Sequence, residues 1–545
     1  MNNCYLSHHH HHHHHHLLLF PSSNLHHDIR CFKVQSITQI SDSSIRLRTL
    51  PKSSSKQNPS TSSPELPVEK TGFESQIDSQ DEDNPDPYLP SDSTSFNPFV
   101  SFIQGFREKL KFDELGMEIM SIALPALLAL AADPITSLVD TAFVGHLGSA
   151  ELAAVGVSIS IFNLVAKLFN IPLLNITTSF VAEEQAVLVK DGMAEFQKKK
   201  FLPSVSTSLA LAAAFGIAET IALSLGSGFL LNTMGIPVDS PMRIPAEQFT
   251  SIKAFGAPAI VLALAAQGTF LAGNLLNVIL DLVLIFFSGL GVSGAAIATV
   301  ISEYLIAFIL LWRLNEEVVL VTPNLDGEKV TRYLKSGGLL MSRSLAILVT
   351  MTLSTSVAAR EGPVAMAGHQ ICLEVWLALS LLTDALALAG QAILASSYSQ
   401  KDYGQARRVI YRCLQIGLTA GVSLAFILFL GFGHLSWLFS TDSEVLNIAR
   451  SGTLFVAASQ PMNAIAFVLD GLYYGVSDFK YASYSMVAIG VATSAFFLLV
   501  PGFGLPGVWT GLFLFMTLRV VAGIWRLGTK KGPWKLVYSK TDQES

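Results

Sequence analysis

From about residue 115 onward the chain alternates long apolar runs with short polar breaks, and most runs reach the roughly 20 residues a helix needs to cross a bilayer. Runs bounded by charge or by Pro and Gly lie at about 119–143, 152–178, 204–231, 249–271, 274–288, 293–312, 333–358, 364–395, 408–431, 448–475, 481–500 and 505–527. The pattern predicts an all-α membrane protein of twelve transmembrane helices in two six-helix lobes related by an internal repeat. The two sets end alike, at Trp312-Arg313-Leu314 and Trp525-Arg526-Leu527, each preceded by a glycine-rich turn, GLGVSG (Gly289 to Gly294) and GFGLPG (Gly502 to Gly507). Twofold repetition of this kind is a mark of transporters, which handle solute between or within the halves.

Basic residues test the count independently. Lys198 to Lys200 follow span two, Lys329, Arg332 and Lys335 span six, Arg407, Arg408 and Arg412 span eight, Lys480 span ten, and Lys530, Lys531 and Lys535 span twelve, so all fall on one side. The opposite side carries little beyond Arg243, Arg360 and Arg450. By the positive-inside rule both termini share the basic compartment, the stroma if the membrane is a plastid inner envelope.

The repeat also locates an irregularity. Pro258 and Gln267-Gly268 match Pro461 and Asp470-Gly471 at an offset of 203 (461 − 258), whereas Gly291 and Trp312 match Gly504 and Trp525 at 213 (504 − 291). About ten residues are therefore absent from the first half between Phe270 and Gly289, where the second half has the polar hairpin YGVSDFKYASYS. A single helix from Ala254 to Phe287 would be roughly 51 Å long against a core of about 30 Å and would reverse every later loop. A tight turn at Gly273-Asn274 is expected instead, with a short fifth span, as in a shortened splice or gene-model variant.

Composition agrees: 50% of the 545 residues are apolar and 14% charged, which excludes an ordinary soluble enzyme. A net charge of −6 over this length points to no nucleic-acid partner. The partners expected are the lipid bilayer, a small organic solute and H+ or Na+, with the chain a monomer. Residues 1–64, basic, Ser-rich and poor in acid, read as a transit peptide for a plastid or, alternatively, a mitochondrion (inner membrane). The run His8 to His16 reads as a low-complexity tract of that leader rather than a metal site or an engineered tag. Residues 65–114 read as an acidic, Pro-rich linker with a short amphipathic helix from Phe102 to Leu115. The N-lobe is then 115–315, an inter-lobe loop 316–331, the C-lobe 332–530 and a polar tail 531–545. Cys4, Cys31, Cys372 and Cys413 have no paired spacing, so neither a disulfide nor a zinc site is expected, and no cofactor.

Within the spans, ionisable groups are the candidates for function, because a charge at membrane depth costs roughly 2.5–3.5 kcal/mol on insertion scales. Asp133 precedes the helix-interrupting Pro134, where freed backbone can line a cavity, and Asp140 lies two turns on. A surface position where water solvates the carboxylate is the alternative for either. In the second half His369, Gln370, Glu374, Asp384 and Asp470 are substrate or coupling candidates, or else polar groups that join helices. His146 is expected at a helix end in solvent. No phosphate-binding loop, HExxH or nucleophile elbow is present, so ATP drive and intramembrane enzymology have nothing to act with.

Read together, ALPALLALAADPITSLVDTAFVGHLGSAELAAVGVS, TSFVAEEQA, GVSGAAIATVISEYL and AMAGHQICLEVW resemble the multidrug and toxic compound extrusion (MATE) transporters over about residues 115–530, most closely the plant DETOXIFICATION type with an organelle leader, a branch that holds citrate and salicylate exporters. The resemblance implies a V-shaped pair of lobes, alternating access and export of organic solutes against entry of H+ or Na+. It implies that Asp140 in VDTAFVG couples to the cation together with Asn277 and Asp281 in NLLNVILD, whose i, i+4 spacing puts both on one helix face. The pattern departs from the family just ahead of Asn274, and a fifth helix cut short there would carry Asn277 and Asp281 away from Asp140. The competing readings are a transport-dead shortened variant that acts by association with full-length relatives, and a lipid-linked precursor flippase, for which Arg343 is the main basic group inside the spans.

Overall fold

The computed structural model describes residues 113–190, 200–201, 203–266, 271–319, 327–499 and 502–538. The transit peptide and the acidic linker lie outside them, and so does most of the expected amphipathic helix. At that helix's end Asp113 is extended, and its side chain accepts from Gly116 N at 2.9 Å as the N-cap of the first span.

The helices are α1 (Glu114–Leu130), α2 (Ala132–Gly145), α3 (Ser149–Lys190), α4 (Pro203–Thr233), α5 (Arg243–Ala254), α6 (Ala257–Ala265), α7 (Leu271–Asp281), α8 (Gly291–Glu317), α9 (Gly327–Arg360), α10 (Pro363–Ser399), α11 (Tyr403–Leu435), α12 (Ser443–Ser451), α13 (Thr453–Ala458), α14 (Gln460–Gly475), α15 (Phe479–Leu499), α16 (Gly504–Thr529) and α17 (Trp534–Val537). A two-residue parallel pair, Lys200–Phe201 with Val318–Val319, is the strand content of the described residues. Eight helices are long and apolar enough to cross a membrane alone, and three bent pairs make further spans. The shorter apolar helix Gly273–Phe287 stands at the place of the fifth.

The repeat is visible in how spans four and ten bend. Both break just before a proline at the second position of the continuing helix, Pro258 in α6 and Pro461 in α14, with bends of 43° and 47°. In each half a glycine of the preceding span lies against that proline. A Cβ on Gly216 of α4 would sit 2.4 Å from Pro258 Cα, and one on Gly421 of α11 would sit 2.8 Å from Pro461 Cα. The first span is broken as well, by 44° between α1 and α2, next to Pro134. The turns into spans six and twelve use Gly291 and Gly504 at φ +54° and +58°, which only glycine adopts freely, so the sequence match GLGVSG to GFGLPG reflects a shared backbone.

α10 is the buried axis: α14, α11, α1 and α3 pack around it, and most of its side chains are inaccessible. α3 closes the seam between the halves against α9 and α10. The third and ninth spans are peripheral, with Leu225, Phe229, Phe426 and Phe429 facing outward as lipid-exposed side chains do.

Three expectations are revised. Gly273 and Asn274 are helical, inside the first turn of α7, so the fifth helix starts earlier than predicted. α9 begins at Gly327, within the expected inter-lobe loop. The polar tail is polar only past its first turn: Trp534 and Val537 of α17 are fully buried in the C-lobe, and Trp534 Nε1 donates to Asp478 Oδ2 at 2.9 Å. Arg526 grips the same carboxylate at 2.8 and 3.1 Å. The polar hairpin missing from the first half is thus an anchoring point in the second.

Candidate coupling site

Helices α2 and α7 lie side by side and present their polar faces to each other. Asn274, Asn277 and Asp281 recur every three or four residues and so line one stripe of α7. Asn277 Nδ2 donates to Asp140 Oδ1 at 3.0 Å and to Asp281 Oδ2 at 2.9 Å, and Asn274 Nδ2 donates to Asp133 Oδ1 at 2.6 Å. Since Asp133 meets Asn274 and Asp140 meets Asn277, the two helices run parallel, as first and fifth spans of an alternating bundle must. Asn277 is 4% exposed and Asp281 0%; no N–H or O–H donor reaches Asp281 Oδ1, and the Asp140 and Asp281 carboxyls are close enough to interact directly as well as through Asn277. The shortened connection therefore does not separate these residues from Asp140, because α7 reaches back to Leu271.

Directly after Asp281 the helix widens into a π turn over Leu282–Phe287, with Ser288 N bonded to Val283 O at 2.9 Å. Phe286 of this turn meets Phe143 of α2 edge-on at 5.7 Å. Gly294 of α8 lets the turn in close; a Cβ there would stand 2.7 Å from the Leu284 carbonyl.

These groups border a cavity of about 760 Å³ whose wall includes Asp133, Ser137 and Asp140 of α2, Lys167 of α3, Lys253 of α5, Thr299 and Glu303 of α8, and Ser344, Ile347 and Leu348 of α9. Asp133 thus lines the cavity and is itself exposed. Lys253 is held over the rings of Phe162 and Phe249, at 5.3 and 5.8 Å, with its Nζ 3.7 Å from Glu303 Oε1. It also acts electrostatically on Asp140 and Asp281. Two carboxylates joined through one amide, with a lysine nearby, can share a single cation or proton but cannot both stay bare without mutual repulsion.

Three of the second-half candidates join helices. Glu374 Oε2 accepts from Ser137 Oγ at 3.1 Å and its Oε1 from Gln370 Nε2 at 2.9 Å, which ties α10 to the helix of Asp140. His369 is fully buried and its Nδ1 accepts from Trp509 Nε1 at 3.3 Å. Asp470 belongs to a separate cluster: Arg343 of α9 and Arg519 of α16 both reach its Oδ2, and Asp384 lies within their electrostatic range. His146 caps the end of α2, exposed, with Nδ1 2.7 Å from Ala142 O. Lys253 and Arg519 were missed because basic charge was weighed only in the loops, and Glu303, a carboxylate inside span six, carried the same signal as Asp140 and was passed over; the insertion cost that singled out Asp140 applies equally to all three.

Residues 340–497 match the MatE family model. Protein DETOXIFICATION 44, chloroplastic, of Arabidopsis thaliana is 66% identical over 445 residues, 79% of this chain and 85% of that protein. Protein DETOXIFICATION 45, chloroplastic, of the same plant is 48% identical over 451 residues, covering 78% and 80%. Among solved structures, the inward-facing conformation of a multidrug resistance MATE family transporter of the MOP superfamily superposes with a TM-score of 0.68 at 19% identity, over 78% of this chain and 99% of that one. The chloroplast location in the names of both relatives agrees with the leader expected from the sequence. Helices that span a membrane many times, a charged cavity among them and this degree of identity make the chain a multi-pass chloroplast membrane transporter, not an enzyme, and it belongs to the MATE family.

Proposed function

We propose that the chain is a secondary active antiporter that exports organic solutes, organic acids or aromatic and xenobiotic metabolites, across a plastid envelope membrane in exchange for H+ or Na+. Asp140, Asn277 and Asp281 form its coupling site, with Asp133 at the mouth. The observation that carries this reading is the chain of hydrogen bonds from Asp140 through Asn277 to Asp281 beside a cavity open to solute. A cation shared between the carboxylates cancels one of their two charges, removes their mutual repulsion and relaxes α2 against α7; its departure restores the repulsion, and that difference is what an antiporter converts into alternating access. The assembled site supports an active chain over a transport-dead variant.

The test is efflux of citrate and of salicylate from proteoliposomes holding the full chain, under an imposed pH or Na+ gradient. Flux that follows one of the gradients and is lost in Asp140→Asn supports the proposal. Flux of these solutes that ignores both gradients, or survives Asp140→Asn unchanged, rejects it.

A further inference from the structure

In the Arg343–Asp470–Arg519 cluster two arginines share a single hydrogen-bonding carboxylate oxygen. Two guanidiniums, 5% and 7% exposed, converge on a single oxygen of one carboxylate, and arginine stays protonated in any protein environment. Asp384 is the nearest further anion; it interacts electrostatically with both arginines but hydrogen-bonds to neither among the described residues. Nε of Arg343 and Nε of Arg519 are both buried without an acceptor. Buried N–H donors left unpaired are costly, and a pair of them on two arginines that share one oxygen is more than helix packing requires.

The guanidinium planes are also fixed in orientation. Arg343 donates to the Tyr474 hydroxyl and lies 5.2 Å from that ring's centre, while Arg519 donates to Met516 Sδ at 3.0 Å and lies 5.1 Å from the Phe467 ring and 5.6 Å from the Phe515 ring. The Asp470 side chain is 16% exposed, and the cluster adjoins the cavity that holds Asp140 without lining it: on α9 Arg343 is one residue before Ser344 and one turn before Ile347, both in the cavity wall.

We propose that Arg343 and Arg519 form a carboxylate-binding site within the C-lobe, next to the stretch of α9 that walls this cavity, occupied in the resting protein by Asp470 and taken during transport by the carboxylate of the exported solute. The proposal rests on the reading of the chain as an exporter of organic solutes and narrows it to organic anions. The guanidinium edges now without an acceptor receive the solute carboxylate, and Asp470 is the internal competitor it displaces.

The probe is citrate, with tetraphenylphosphonium as a cationic counterpart, and the readout is equilibrium binding to the purified full chain. Arg343→Lys and Arg519→Lys keep the charge but lose the planar fork, and each weakens citrate binding about tenfold or more. Asp470→Asn removes the competitor at constant shape and tightens citrate severalfold, which loss of a purely structural ion bridge would not do. In the wild-type chain, citrate protects Arg343 and Arg519 from modification by phenylglyoxal, a measurement that needs no variant to fold. Folded lysine variants that bind citrate like the wild type, a lack of protection, or a wild type that binds tetraphenylphosphonium and not citrate overturns the proposal. Citrate bound at the arginines of a wild-type chain whose flux ignores every gradient refutes the antiport reading and leaves this site standing.

Discussion

Replacing Asn277 by Ala removes the one amide that donates to both carboxylates of the coupling site, at 3.0 Å to Asp140 and 2.9 Å to Asp281. At a surface, water would repair the loss. Here Asn277 and Asp281 are 4% and 0% exposed, and Asp281 Oδ1 already lacks a donor. Hydrogen bonds to charged groups contribute roughly 1.5–3 kcal/mol each in soluble proteins. Interhelical bonds in bilayers average about 0.6 and reach about 1.7 kcal/mol, because separated helices find other partners. With both bonds at the upper membrane value the substitution costs about 3 kcal/mol. Asn274→Ala, whose bond to Asp133 is exposed, costs about 0.5 kcal/mol or less. Unfolding free energies of the full chain in mixed micelles measure both. A double-mutant cycle of Asn277→Ala with Asp281→Ala then isolates the pair, with an expected coupling of about 1–1.7 kcal/mol. Coupling within the additivity noise of about 0.3–0.5 kcal/mol, or equal costs for Asn274→Ala and Asn277→Ala, refutes the assignment of Asn277 as the bridge.

Three further outcomes are expected. Gly216→Ala and Gly421→Ala each force a methyl into proline backbone, at 2.4 and 2.8 Å, and cost about 1–3 kcal/mol with the larger loss at Gly216; melting points unchanged in both refute the close crossings. Lys253→Met leaves Glu303, whose Oε2 already has no partner, as an unpaired, partly buried carboxylate and costs about 1–3 kcal/mol, most of which Lys253→Met with Glu303→Gln recovers; a single variant as stable as the double in the same unfolding assay counts against the pair. Trp534→Ala empties a fully buried ring position in the C-lobe and costs about 3–5 kcal/mol; a chain truncated after Lys531 that melts like the full one shows the tail to be dispensable.

The span pattern was legible in the sequence because length and hydrophobicity alone place apolar runs in a bilayer, and basic loops fix their sense. The bends at Pro258 and Pro461 could be anticipated from the repeat. The start of the fifth helix could not. Gly273-Asn274 carries turn chemistry, but Asn274 has a partner in Asp133 that only the packed structure supplies, and a helical Asn274 keeps that bond. The same holds for the C-lobe cluster: Arg343, Asp470 and Arg519 are scattered over more than 170 positions, and no spacing rule links three helices that meet only after packing.

The duplication explains what the two halves share and what they do not. Proline bends and glycine crossings recur because they shape the backbone, and a backbone shape is inherited with the repeat. Charge is not: Asp470 stands where the first half has Gln267, and the polar hairpin that anchors α17 through Asp478 has no counterpart ahead of α7. One lobe thus concentrates carboxylates around an amide and the other concentrates guanidiniums around a carboxylate. Helix α9 touches both, with Ser344, Ile347 and Leu348 in the wall of the first and Arg343 in the second. If a cation is exchanged for an anion, α9 is where the two occupancies meet. A shift of this helix that relieves an empty carboxylate pair must also change the reach of Arg343 toward Asp470, so neither site can fill or empty without biasing the other.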